Sequence, residues 1–153
     1  MKLIAHRGLM HGPDTDKENT VEQIELALAE GYDVEIDVWW KHAQWWLGHD
    51  EPKTIVDFSF LKKEGLWIHC KNDLALEKLN ELHPTLNYFW HHIDCYTLTS
   101  KNVPWVYPGK RVMRTGVCVL PELEMSLADA AKLDVYAICS DYVSDIKGYM
   151  KCK

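Results

Sequence analysis

The chain has 153 residues, of which 47% are apolar and 26% charged, and carries a net charge of −6. That suits one domain with a core of its own and excludes a disordered or fibrous chain. No basic run offers a nucleic-acid footprint, and no stretch approaches the ~18 apolar residues of a membrane span, so a phosphate-bearing ligand would have to be held locally, by a few residues or a metal.

Residues Lys2 to His6 read as a short strand ending in His6-Arg7-Gly8. Residues 9–19 are a polar loop with the turn signal Gly12-Pro13-Asp14. Thr20 to Glu30 is helical: Asn19 or Thr20 can cap it, Val21, Ile24 and Leu28 recur at helical spacing, and Gly31 ends it. The strand Val34–Val38 follows at once. Its alternation puts Glu35 and Asp37 on one face and Val34, Ile36 and Val38 on the other. Two acids on such a strand fit either a solvated edge or a divalent cation held at the end of a core strand.

The strand continues through Trp39-Trp40, turns near Lys41 to Gln44, and returns through Trp45-Trp46-Leu47 to Gly48-His49-Asp50, a hairpin near 39–48. Four of the seven tryptophans lie here. Each Trp pair puts a ring on both faces, so either both faces are covered or aromatic surface is exposed. Residues 51–65 are mostly loop, with a helical turn near Phe58–Leu61. Leu66 to Lys71 is a third strand, and Asp73 to Leu82 a second helix with Pro84 beyond its end. Asn87 to Ile93 is a fourth strand-like run. Val103–Tyr107 and Gly116–Leu120 are short strand candidates, Ser126–Leu133 a third helix, Val135–Cys139 a last strand, and 142–153 a short helix. Neither repeat nor linker divides residues 1–153, which read as a single domain.

The five cysteines, Cys70, Cys95, Cys118, Cys139 and Cys152, are odd in number and lack close metal-type spacing. Three lie in apolar runs, where a free thiol acts as a small hydrophobe, and a reduced, cytoplasmic protein is expected. Residues Met1–Arg7 turn polar too soon for a signal peptide.

Three motifs stand at strand ends: His6-Arg7-Gly8, Glu35-x-Asp37 and Gly48-His49-Asp50. In this order, with Glu18-Asn19-Thr20 before the first helix, they resemble the glycerophosphodiester phosphodiesterase family and its wider phosphatidylinositol-phosphodiesterase-like superfamily. The match covers residues 3–50, with weaker echoes near 66–71 and 135–141. The resemblance implies a (β/α)8 barrel with its site at the C-terminal strand ends. Such barrels take ~250 residues. The expectation is therefore an abbreviated TIM (β/α)8-like parallel barrel, with roughly seven or eight strands and several helices replaced by loops. Self-association through the side left bare of helices is expected with it.

The resemblance also implies metal-dependent hydrolysis of a small phosphodiester. It makes His6 and His49 the acid/base pair, Arg7 a phosphate ligand, and Glu35 and Asp37 ligands of one divalent cation (Mg²⁺, Ca²⁺ or Mn²⁺). Two imidazoles can deprotonate a nucleophile and protonate a leaving oxygen near neutral pH. The family usually carries Glu-x-Lys on strand three, and here His69-Cys70-Lys71 stands there. Lys71 keeps the phosphate-facing cation. His69 takes the place of a metal carboxylate, either as a ligand or as a neutral donor behind water. A phospholipase D-like lyase that ends at a cyclic phosphate and a non-catalytic phosphoryl-binding module are the alternatives. His91-His92 could touch substrate, although strand alternation would turn one of them outward. Glu122 and Asp141 could bind substrate or serve turns. His11, His42 and His83 read as surface.

Overall fold

The computed structural model describes residues 1–82 and 85–151; His83, Pro84 and Cys152, read above from sequence, lie outside the described residues. The chain opens with β1 (Lys2–His6), α1 (Val21–Ala29) and β2 (Asp33–Lys41). Thr20 caps α1, its side chain accepting from the Gln23 N–H. The hairpin strand β3 (Gln44–Leu47), the short β4 (Thr54–Val56) and the one-turn α2 (Phe58–Leu61) follow. Then come β5 (Leu66–Cys70), α3 (Asp73–Leu82), β6 (Tyr88–Trp90), β7 (Tyr96–Leu98), β8 (Pro104–Val106), β9 (Val117–Val119), α4 (Leu127–Ala130), β10 (Ala137–Ser140) and α5 (Val143–Lys151).

The expected abbreviated (β/α)8 barrel does not form. The sheet is mixed and open. Parallel ladders join β6, β5, β2, β1, β10, β9 and β8 in that spatial order. Three further ladders, β2 with β3, β3 with β4 and β7 with β8, are antiparallel. Among the described residues β6 has a ladder only with β5, and β7 ends the other path beside β8. Isolated bonds, Ser100 N–H to the Tyr88 carbonyl (2.7 Å) and Thr97 Oγ1 to the Trp90 carbonyl (2.9 Å), bridge these two edges without a ladder. The physical reason is chain length. A parallel crossover needs about a dozen residues or more, whereas an antiparallel return needs only a turn.

The two faces of the sheet differ. On the outer face Val34, Ile36, Val38 and Ile68 pack with Ile24 and Ala27 of α1 and Ala75 and Leu79 of α3. Further along, Cys118 and Ile138 pack with Ala130 of α4 and Ile146 of α5. Phe60 and Leu61 of α2 join the first of these clusters. Each such buried aliphatic side chain contributes about 1.5–3 kcal/mol. Helices thus cover the outer face over β1, β2, β5, β9 and β10, while Tyr96 and Leu98 of β7 stay exposed at the sheet's edge. On the inner face Ile4, Trp67, Phe89, Trp105, Val119 and Cys139 form a separate layer. Rings from opposite ends of the sheet meet in it: Trp67 to Trp105 at 5.9 Å and Phe89 to Trp105 at 4.5 Å. The sheet thus curls around an aromatic floor. Among the described residues no helix is long and apolar enough to cross a membrane.

Candidate active site

The polar residues collect above that floor, where one edge of β2 changes partner. β1 pairs with β2 up to the register His6–Glu35, and β3 takes over the same edge from Val38. The Asp37 N–H falls in the gap and donates to Asn19 Oδ1 (2.9 Å), while Asn19 Nδ2 donates to Asp37 Oδ2 (2.9 Å). Asn19 reaches this position from a left-handed backbone (φ 55°). The segment 18–20 therefore does three things: Glu18 anchors Arg7 (2.7 Å), Asn19 clamps Asp37, and Thr20 caps α1.

Glu35 and Asp37 are 2% and 1% exposed, which removes the solvated-edge reading of β2. Buried carboxylates need partners. Glu35 Oε2 accepts from the Arg7 N–H (3.2 Å), and Arg7 Nε lies 3.2 Å from Asp37 Oδ2. Lys71 Nζ lies 3.4 Å from Asp37 Oδ1. His69 Nδ1 faces both acids, 3.0 Å from Asp37 Oδ1 and 3.6 Å from Glu35 Oε1. Its Nε2 donates to the His91 carbonyl (2.9 Å), and its ring stacks on Phe89 at 5.1 Å and 4°. Burial opposes the charge on His69, but hydrogen bonds to Asp37 and Glu35 outweigh it and raise its pKa to about 9. Burial pushes the Asp37 carboxyl upward; His69, Lys71 and Arg7 more than reverse this and hold it well below the usual carboxylate range.

His6 is oriented by a residue from across the sheet. β1 and β10 run in parallel with Ala5 opposite Ser140, which puts Asp141 beside His6. His6 Nδ1 and Asp141 Oδ1 are 2.8 Å apart, and His6 Nε2 is 4.0 Å from Glu35 Oε2. Burial lowers the His6 pKa, yet the Asp141 bond and the Glu35 charge raise it on balance. Asp141 is held in turn by Glu122, whose Oε1 accepts from the Asp141 N–H (3.0 Å) and the Ser140 hydroxyl (2.8 Å). His49 arrives from the hairpin. Gly48 before it has φ 147°, and a Cβ there would collide with the Glu51 carbonyl oxygen, so the turn requires glycine. Trp39 Nε1 donates to the Gly48 carbonyl (2.6 Å), pinning the same turn, and His49 Nδ1 pairs with Asp50 (2.7 Å).

A cavity of about 320 Å³ is lined by all seven residues singled out from sequence: His6, Arg7, Glu35, Asp37, His49, His69 and Lys71. His91 and His92 both line it as well, because β6 stops at Trp90 and strand alternation no longer applies to them. A larger cavity of about 630 Å³ lies elsewhere, between the 9–17 loop and α1. Its Asp14 and Lys17 pair with each other (2.8 Å), so chemistry and not volume selects the smaller one. His11 and His42 are exposed, His42 at the hairpin turn.

The supports Glu18, Asn19, Glu122 and Asp141 have different places from those the sequence suggests: Glu122 and Asp141 read as substrate or turn residues, and Glu18 only as part of the 18–20 segment. A signal existed for Asn19, whose place before the helix singles it out, but it pointed to capping. The rest depend on long-range pairing.

A divalent cation fits the cluster. Each candidate ligand has one polar atom tied to the protein and one left over. Asn19 holds Asp37 Oδ2, the Arg7 N–H holds Glu35 Oε2, and the His91 carbonyl holds His69 Nε2. The remaining atoms of the three residues converge within 4.8 Å of one another. Asp37 Oδ1 is buried and meets only the cationic partners His69 and Lys71. The separations of 3.0 and 3.6 Å to His69 Nδ1 match the roughly 3–3.7 Å between neighbouring ligands of a six-coordinate cation with 2.0–2.6 Å bonds. No family model matches the chain, and no curated protein or solved structure shows detectable similarity to it.

Proposed function

We propose that the chain is a metal-dependent phosphodiesterase that hydrolyses glycerophosphodiesters or related small phosphodiesters, as its resemblance to that family implies. The observation that carries this reading is the composition of the 320 Å³ cavity: His6 and His49 stand beside two cationic side chains, Arg7 and Lys71, and a buried acid pair, Glu35 and Asp37. A binding pocket would need the cations alone. Two imidazoles, each with one nitrogen turned to a carboxylate, suit proton transfer.

In this mechanism Arg7, anchored by Glu18, and Lys71 draw the phosphoryl oxygens into the cavity. Asp141 occupies His6 Nδ1 and leaves Nε2 to exchange a proton with a reacting oxygen. His49, with Nδ1 turned to Asp50, presents its other nitrogen likewise. One imidazole takes a proton from the attacking water as its oxygen bonds to phosphorus, and the other delivers a proton to the departing alkoxide, which leaves a phosphomonoester and an alcohol. Neutralisation of charge on the phosphoryl oxygens is what a divalent cation supplies when bound by Glu35, Asp37 and His69.

The test is turnover of a panel of glycerophosphodiesters with Mg²⁺, Ca²⁺ or Mn²⁺, the products followed by phosphorus NMR. A phosphomonoester product is expected. A cyclic phosphate would make the protein a lyase, and no turnover with any cation would leave a phosphoryl-binding module.

A further inference from the structure

We infer that His69 Nδ1 is a cation ligand, and that this site selects a first-row transition cation, of which Mn²⁺ is the probe, over Mg²⁺ and Ca²⁺. The inference deepens the phosphodiesterase reading and rests on it only for the expectation that a cation binds. The His69 ring has two nitrogens and one is spent. A carbonyl only accepts, so the bond to His91 requires the proton on Nε2. The one lone pair left to the neutral ring is then on Nδ1, aimed at two acids 3.0 and 3.6 Å away. Such a lone pair is repelled by two carboxylates unless a cation, or in its absence a proton on Nδ1, lies among the three atoms. A backbone carbonyl on the far nitrogen is also how metal-bound imidazoles are commonly oriented. The stack on Phe89 fixes the ring plane, so the nitrogen cannot swing away to let an oxygen ligand replace it.

The donor set is therefore two carboxylate oxygens and one imidazole nitrogen. Magnesium and calcium are hard ions that take oxygen ligands, whereas imidazole suits transition cations. Asp37 Oδ1, buried and met only by the ion-pair contacts to His69 and Lys71, faces the same space.

The experiment uses the full chain with Mn²⁺ alone, followed by electron paramagnetic resonance, and with Mg²⁺ as competitor. Wild type should show electron-spin-echo modulation from a coordinated ¹⁴N and should prefer Mn²⁺ over Mg²⁺ by about tenfold or more. H69E supplies a third carboxylate; it should lose the modulation and lower that preference by about tenfold. H6N and H49N should keep the modulation, which assigns the nitrogen to His69. Circular dichroism of H69E and of the milder H69Q guards against misfolding. Absent modulation in wild type, or an unchanged preference in H69E, would overturn the inference and make His69 an ion-pair partner of the acids. Failure of Mn²⁺ and Mg²⁺ alike to bind would overturn it too. Turnover that persists in chelator would then leave the phosphodiesterase reading standing without the cation.

Discussion

The two faces of β2 are equally buried and chemically opposite. Val34, Ile36 and Val38 are each 0% exposed on the outer face, and Glu35 and Asp37 are 2% and 1% exposed on the inner one. The outer residues sit among interchangeable methyl groups from α1 and α3, where any close-packed neighbour will serve. The inner residues depend on particular atoms: Asn19 for Oδ2 of Asp37, the Arg7 N–H for Oε2 of Glu35, His69 and Lys71 for the rest. Burying two acids costs stability unless each is paired, so the inner face does not hold the fold together. Stability and function are divided between alternate residues of one strand, and substitutions on the two faces should fail in different ways.

The largest effects are expected on the inner side. His6→Asn and His49→Asn should each lower turnover by roughly 10²–10⁴ with little change in melting temperature. Asp37→Asn should abolish cation binding in calorimetric titration. Wild-type activity in either histidine variant, with the fold intact, would remove that residue from the mechanism.

On the outer side Ile36→Ala should do the reverse. It should cost about 2–5 kcal/mol of unfolding free energy in urea titration, while the folded fraction keeps its cation affinity. A loss of affinity as large as that from Asp37→Asn would show that the faces are coupled and the division is false.

Supports of the inner face should give smaller effects. Asn19→Ala removes the clamp on Asp37 and should weaken cation binding about 10–100-fold. Asp141→Asn should leave cation binding unchanged and lower turnover by a comparable factor, because it orients His6 without touching the cluster. Equal effects of both variants on both quantities would mean general loosening of the site.

What the sequence makes legible follows the same division. Glu35 and Asp37 stand out because two acids interrupt an apolar alternation, and β2 is the strand that alternation describes. His6 and His49 stand out at strand ends beside glycines, because sharp turns need those glycines. Asp141 reads in sequence as a substrate or turn residue, and its role as the partner of His6 is not legible because His6 lies 135 positions away. β7 was equally invisible, since Tyr96-Thr97-Leu98 is too short for any period and is defined by its ladder with β8. The Asn87–Ile93 run shrank to Tyr88–Trp90 as the His91 carbonyl turned to meet His69. The expected barrel fails because local patterns locate strands without fixing which edges they share, and three antiparallel returns stand where helical crossovers would.

The smallest effect distinguishes the inner face from a pre-neutralised ion cluster. Before a cation binds, His69 carries a proton up to about pH 9: burial works against that charge, and the hydrogen bonds to Asp37 and Glu35 prevail. A cation at Nδ1 needs the lone pair, so the proton must leave as the cation enters. Below about pH 9 each binding event should therefore release one proton, and affinity should rise about tenfold per pH unit toward that value and level off above it. The sign is fixed by which state holds the proton: the cation-free protein does, so acid competes with the cation. Titration calorimetry at pH 7 in two buffers of different ionisation enthalpy measures the released proton directly, and His69→Glu should bring its number close to zero. A wild type that releases none would mean that His69 keeps its proton beside the bound cation and that the two carboxylates alone distinguish this face of β2 from the other.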